Sequence, residues 1–170
     1  MSVDLRLGKM NEAGIDCQVV SPNPLTFLHH IPKELAISFC RIHNDALSKT
    51  ISGHDRLRGF AALPIQDLNA SVEELDRAVK ECGLLGGYIG TDGPFALDSE
   101  EMNILYEKCL ELDVPLFIHP SPAGIDGPKG DKALGKYDLD VVVGFAAQET
   151  LAVARLIFGG VLERFPNIDI

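Results

Sequence analysis

The sequence predicts an α/β fold built on a parallel sheet. Short apolar runs alternate along the whole chain with longer segments whose apolar residues recur every three or four positions. Several runs are apolar throughout, which requires cover on both faces, and they end at Pro or Gly. About five strands with crossover helices fit two architectures. One is part of an eight-stranded (β/α)8 TIM barrel, which takes ~250 residues and cannot close within the 170 residues present. The other is an open doubly wound sheet, complete with five strands.

The elements follow in order. Residues 4–13 read as a helix stopped by Gly14, and residues 17–21 as a short strand ended by Pro22. After a polar and aromatic loop at 22–31, Pro32 opens a helix running to about Gly53, with Leu35, Phe39, Ile42 and Ala46 as its expected buried stripe. Residues 57–63 form the next strand, closed by Pro64. Ser71-x-x-Glu74 reads as a capping box for a helix with Val72, Leu75, Val79 and Cys82 on one face and Gly83 at its end. Residues 86–90 form a strand. Asp98-x-x-Glu101 reads as a second capping box, whose helix carries Met102, Leu105, Cys109 and Leu112 along one seam. Residues 114–119 form a strand that tolerates Pro115 near its start. The Gly/Pro-rich stretch 120–147 reads as a lid loop. A last helix, 148–164, is expected to bury Leu151, Ala154, Phe158, Val161 and Phe165, and residues 168–170 open one more strand. That unfinished apolar strand favours the barrel, and with it the expectation that the chain is part of something longer.

Composition narrows the function. With 46% apolar residues the chain is one globular domain, and neither disorder nor a membrane span is expected; a cytoplasmic location is the default. Twenty-five acidic against fifteen basic residues give a net charge of -10, and the basic groups are scattered, which argues against nucleic acid. Cys17, Cys40, Cys82 and Cys109 lie far apart on apolar positions and read as buried free thiols.

In either parallel architecture chemistry sits at the carboxyl ends of the strands. The candidates there are residues 23–30, Gln66 and Asp67, Thr91 and Asp92, His119 and Pro120, and the lid. His119 closes the run Leu116-Phe117-Ile118, where its ring would reach the mouth of a site as a metal ligand or a hydrogen-bonded structural imidazole. His29 and His30 are adjacent, so at most one faces the pocket. His30, Phe27 and Asp92 are the candidate substrate-binding residues, although Asp92 also suits a turn before Gly93. His43 and His54 read as surface or helix-terminus residues, and Glu73, Glu74, Glu100 and Glu101 as first-turn helix stabilisers. Lys129, Lys132 and Lys136 in the lid are either carboxylate partners or solvated. No phosphate-cradling glycine motif is present.

Met10-x-Glu12-Ala13-Gly14-Ile15-Asp16, His43-Asn44-Asp45-Ala46-Leu47, Arg58-Gly59-Phe60-Ala61-Ala62-Leu63-Pro64, Gly87-Tyr88-Ile89-Gly90-Thr91 and Phe117-Ile118-His119-Pro120 occur in this order. Val143-Gly144-Phe145 and the stretch from Glu149-Thr150 to Phe165-Pro166 continue the series. Together they resemble the aminocarboxymuconate-semialdehyde decarboxylase branch of the amidohydrolase superfamily, over nearly the whole chain. The resemblance implies a single barrel domain over residues 1–170, incomplete at both ends, and one divalent metal, usually zinc. It implies non-oxidative loss of carbon dioxide from an unsaturated or aromatic carboxylic acid, with hydrolysis or hydration as the alternatives and an inactive truncated chain as a third. His119 matches the metal-ligating His of the fifth barrel strand. The His-x-His pair would precede Met1, and the catalytic His and ligating Asp would follow Ile170. The small-molecule acid is then the expected partner, with a homo-oligomer possible.

Overall fold

The computed structural model describes residues 2–121 and 132–170. Its strands stand side by side in chain order. β1 (Gln18–Val20) pairs in parallel with β2 (Leu57–Gly59), while β3 (Ala61–Ala62) pairs with β4 (Gly87–Gly90) and β4 with β5 (Leu116–His119). β2 and β3 are halves of the single strand expected at 57–63, bonded to different neighbours. Phe60 N–H donates to the Val20 carbonyl on one edge, and Ala61 N–H to the Gly86 carbonyl on the other. Leu116 N–H donates to the Asp169 carbonyl, so residues 168–170 continue the succession beyond β5. A doubly wound sheet reverses its strand order at a switch point; among the described residues the order runs in one direction, as in a barrel wall. The fold is a partial (β/α)8 barrel, and the doubly wound alternative is set aside.

The helices cover one face of this wall. α1 (Val3–Ala13) starts at Ser2, whose hydroxyl accepts from Leu5 N–H, and ends at Gly14 in the left-handed region. α2 (Lys33–Ile51), α3 (Leu68–Lys80), α4 (Asn103–Leu112), α5 (Phe145–Phe158) and α6 (Val161–Arg164) follow. Leu57, Ala61, Leu75, Ala78, Ile89, Leu105, Tyr106, Leu116 and Val161 lie in one buried cluster beneath them.

Several sequence expectations are corrected. The inward face of α2 is Ala36, Cys40, Asn44, Leu47 and Ile51, one position away from the expected stripe; Leu35 and Ile42 are exposed. Both faces of that helix carry apolar residues, so periodicity alone chose the wrong one. α3 begins three residues before Ser71. Its cap is Asp67, whose carboxylate accepts from Ala70 N–H, while Ser71 is fully buried and donates to the Asp67 carbonyl. Ser99 rather than Asp98 precedes the turn Glu100–Met102 that leads into α4, and the acids of that first turn are placed as expected. In the last helix Leu151 and Phe158 are exposed, and Ala152 and Leu156 are buried. Gly159 and Gly160 break the helix and reset the phase, which brings Val161 and Phe165 inward as expected. Helix also starts earlier than expected: a π-turn at Asp140–Gly144 runs into α5. The continuous helical stretch Asp140–Phe158 is long and apolar enough by length and composition to cross a membrane, which corrects the expectation that no such segment exists. It contains Glu149 and Arg155, and it turns Ala152 and Leu156 toward the core.

Glu74 is not a first-turn stabiliser but the centre of a buried polar tie. Asn44, fully buried on α2, accepts from Ala62 N–H (2.8 Å) and donates to both the Ala62 carbonyl (2.9 Å) and Glu74 Oε1 (2.8 Å). Its side-chain amide thus takes the ladder position on the strand edge just past the β1 pairing. Glu74 in turn accepts two bonds from Arg77, which reaches Asp45 with the same guanidinium. The paired charges satisfy what would otherwise be a costly buried carboxylate. His43, expected at the surface, is half-buried beside Phe39 (5.9 Å between rings), and burial lowers its pKa.

Two outcomes follow. Asn44→Ala strands the Ala62 backbone groups and removes one of the two bonds to Glu74 Oε1, and is expected to cost roughly 2–4 kcal/mol in chemical denaturation; a loss below about 0.5 kcal/mol contradicts the tie. The thiols also divide. Burial pushes Cys40 and Cys109 up to about 12, whereas Cys17, contrary to expectation, is exposed. A thiol reagent at mildly alkaline pH is expected to label Cys17 at once and the two buried cysteines only after unfolding.

Candidate active-site wall

Side chains alternate across a strand, so Tyr88 and Gly90 of β4 share the face opposite the helices with Phe117 and His119 of β5. The register sets Tyr88 opposite Phe117 and Gly90 opposite His119. Tyr88 stacks on Phe117 (5.6 Å between centroids, 20° between planes), and Phe117 meets Phe60 at 5.5 Å. His119 lies 5.8 Å from Tyr88 and 5.9 Å edge-on from Phe145 at the start of α5. Tyr88 is buried within the wall.

The loop after β1 supplies two more rings. Asn23 caps the turn Pro24–Thr26 by accepting from Leu25 N–H, and Leu28 turns the chain at φ 52°. Phe27 then stacks on Tyr88 (5.4 Å) and His29 on Phe27 (5.5 Å, 12°). Both lie over Gly90. A Cβ there would fall on Ser121 Oγ and stand 2.7 Å from His29 Cε1 and 3.1 Å from Phe27 Cδ2, so only glycine admits the loop.

His119 Nδ1 lies 2.8 Å from the Pro120 carbonyl. A carbonyl only accepts, so the proton belongs on Nδ1 and the lone pair on Nε2, the state in which an imidazole binds a metal. Burial raises the Tyr88 phenol, which also bonds Ser21, so it enters the wall as a neutral ring. Among the described residues no three His, Cys, Asp or Glu side chains gather around one point, so His119 fits a metal as a single ligand of an incomplete set.

Of the residues singled out from sequence, His119 and Phe27 meet in this wall, 6.5 Å apart between rings. Of the adjacent pair, His29 is the one that stacks on Phe27, and His30 is exposed. Asp92 is half-exposed at the rim, its Oδ1 3.7 Å from His29 Nδ1. Lys129 lies outside the described residues, and Lys136 is exposed. Tyr88, Phe117, Phe60, Phe145 and Gly90 were not anticipated. The i, i+2 spacing of Tyr88 to Gly90 and of Phe117 to His119 is the sequence signal for the three on β4 and β5, whereas Phe60 and Phe145 carry none. The pair Gly86-Gly87 serves packing: a Cβ on Gly86 would fall on the Pro115 carbonyl.

Gly90→Ala is expected to push Phe27 and His29 off Tyr88, moving their ring-current-shifted proton resonances and costing roughly 1–3 kcal/mol. Unchanged resonances contradict the packing described.

The amidohydrolase family model matches residues 2–170. The 2-amino-3-carboxymuconate-6-semialdehyde decarboxylase of Dictyostelium discoideum is 31% identical over 169 residues, covering 98% of this chain and 46% of that protein. Decarboxylase orsB of Emericella nidulans is 34% identical over 180 residues, covering 98% and 51%. Among solved structures, the dihydroxybenzoic acid decarboxylase of Polaromonas, with bound manganese and the inhibitor 2-nitroresorcinol, is 26% identical with a TM-score of 0.85, covering 99% of this chain and 53% of that one. The chain spans about half the length of the curated relatives it matches. With that family model matching nearly the whole sequence, the chain belongs to the amidohydrolase family.

Proposed function

We propose that the chain forms part of a metal-dependent, non-oxidative decarboxylase of an aromatic carboxylic acid. The observation that carries this reading is His119, which turns Nε2 away from Pro120 and sits among Phe27, Tyr88 and Phe145. The names of the relatives support it, since those described above are decarboxylases. A planar ring finds stacking partners on this wall that an open-chain acid would not use, and stacked pairs add about 0.5–1.5 kcal/mol beyond burial.

His119 would contribute one imidazole to the metal, taken here as zinc, with manganese the ion held by the Polaromonas relative. A bound metal would supply positive charge against the substrate carboxylate. The chain's own residues do the rest of what is visible. The Pro120 carbonyl holds the ring and tautomer of His119, the aromatic residues orient a flat substrate, and they keep water from its face. The overall change replaces the carbon–carboxylate bond with a carbon–hydrogen bond, taking up one proton and releasing carbon dioxide.

Expressed as the complete gene product, the protein is expected to bind about one equivalent of divalent metal and to release carbon dioxide from a hydroxybenzoate. His119→Ala is expected to lower both metal content, read by elemental analysis, and turnover by ~100-fold or more. Full metal occupancy and activity in that variant contradict the reading.

A further inference from the structure

We propose that Gln66 is a positioning residue that latches the loop 22–31 in the pose that presents Phe27 and His29 to the wall. The inference rests on the reading of that wall as the substrate-binding surface. Gln66 Nε2 donates to the Leu28 carbonyl at 2.8 Å, across 38 positions of sequence. Leu28 lies between the two rings and holds φ at 52°, a conformation that a branched side chain adopts only when its surroundings enforce it. The Leu28 carbonyl accepts from Ile31 N–H (3.1 Å) within the loop and from Gln66 outside it, and the Gln66 bond ties to the strand the peptide group whose orientation decides whether Phe27 and His29 both face Gly90.

The latch stands on rigid ground. It follows β3 through Leu63, Pro64 and Ile65, all buried, and Asp67 N–H donates back to the Pro64 carbonyl at 2.9 Å. Asp67 then caps α3 and pairs with Lys33 at the foot of α2, 3.1 Å away, so the exit of the loop is tied to the same corner as Leu28. The amide cannot exchange its ends. Gln66 Oε1 is buried without a hydrogen-bond partner among the described residues, and in the flipped orientation that oxygen would face the Leu28 carbonyl, acceptor against acceptor. The donor is therefore committed to the loop, at the cost of an acceptor left over.

The test uses nuclear magnetic resonance on the protein and on Gln66→Leu and Gln66→Glu, which both remove the donor. The wild type is expected to show scalar coupling across the hydrogen bond between Gln66 Nε2 and the Leu28 carbonyl carbon. Both variants are expected to shift the Phe27, His29 and Tyr88 ring resonances toward unstacked values, with the core methyl groups of Leu75 and Leu105 unmoved. Affinity for 2,6-dihydroxybenzoate in the metal-loaded protein is expected to fall by about tenfold, the equivalent of one hydrogen bond's net worth. Stacked rings in both variants overturn the latch. If neither variant folds, the wild-type coupling decides, and its absence overturns the proposal. A wild type that binds no dihydroxybenzoate overturns the decarboxylase reading instead, while the coupling and ring shifts still decide the latch.

Discussion

In the β4–β5 pair the missing side chain of Gly90 stands opposite the imidazole of His119, and into that gap the loop after β1 lowers Phe27 and His29. The parallel register fixes the first relation and the absence of a Cβ permits the second. A slip of β5 by one residue would turn Phe117 and His119 outward among the helices and bring Ile118 inward. The chemistry proposed for this chain therefore hangs on strand pairing as much as on any reactive group. It also explains why so many rings collect at one end of a short sheet: each interior position of two adjacent strands carries either a ring or the space for one.

The outer face of the same wall is held by a different kind of contact. Where β1 stops pairing, the edge of Ala62 is completed by the Asn44 amide, and Glu74 and Arg77 satisfy what Asn44 leaves over. Release of β1 from the ladder lets the loop 22–31 cross toward Gly90. Apolar packing beneath the helices and a small polar substitution at one strand edge thus work together, the first supplying cohesion and the second a place where the backbone can leave the sheet.

Much of this was legible in the residues. The alternation of elements, the Pro and Gly that end them, and the imidazole at the end of β5 all follow from local rules, because each depends on a few neighbours in sequence. The phase of α2 was not legible, since Leu35, Phe39 and Ile42 form as good a stripe as the buried one and only the tertiary position of Asn44 chooses between them. Glu74 resembled a capping residue three positions after Ser71, yet its role depends on Asn44, thirty positions away. The choice of His29 over His30 was likewise hidden, since it turns on the φ of Leu28 and on the space above Gly90.

His119 offers the lone pair of Nε2 to the interior of the barrel wall while its Nδ1–H is held by the Pro120 carbonyl. Long-range proton–nitrogen correlation spectra of the histidine rings, recorded at alkaline pH on the metal-free protein, read this directly. The expected spectrum shows a protonated Nδ1 and an unprotonated Nε2 for His119. A proton on Nε2, with Nδ1 bare, would contradict it.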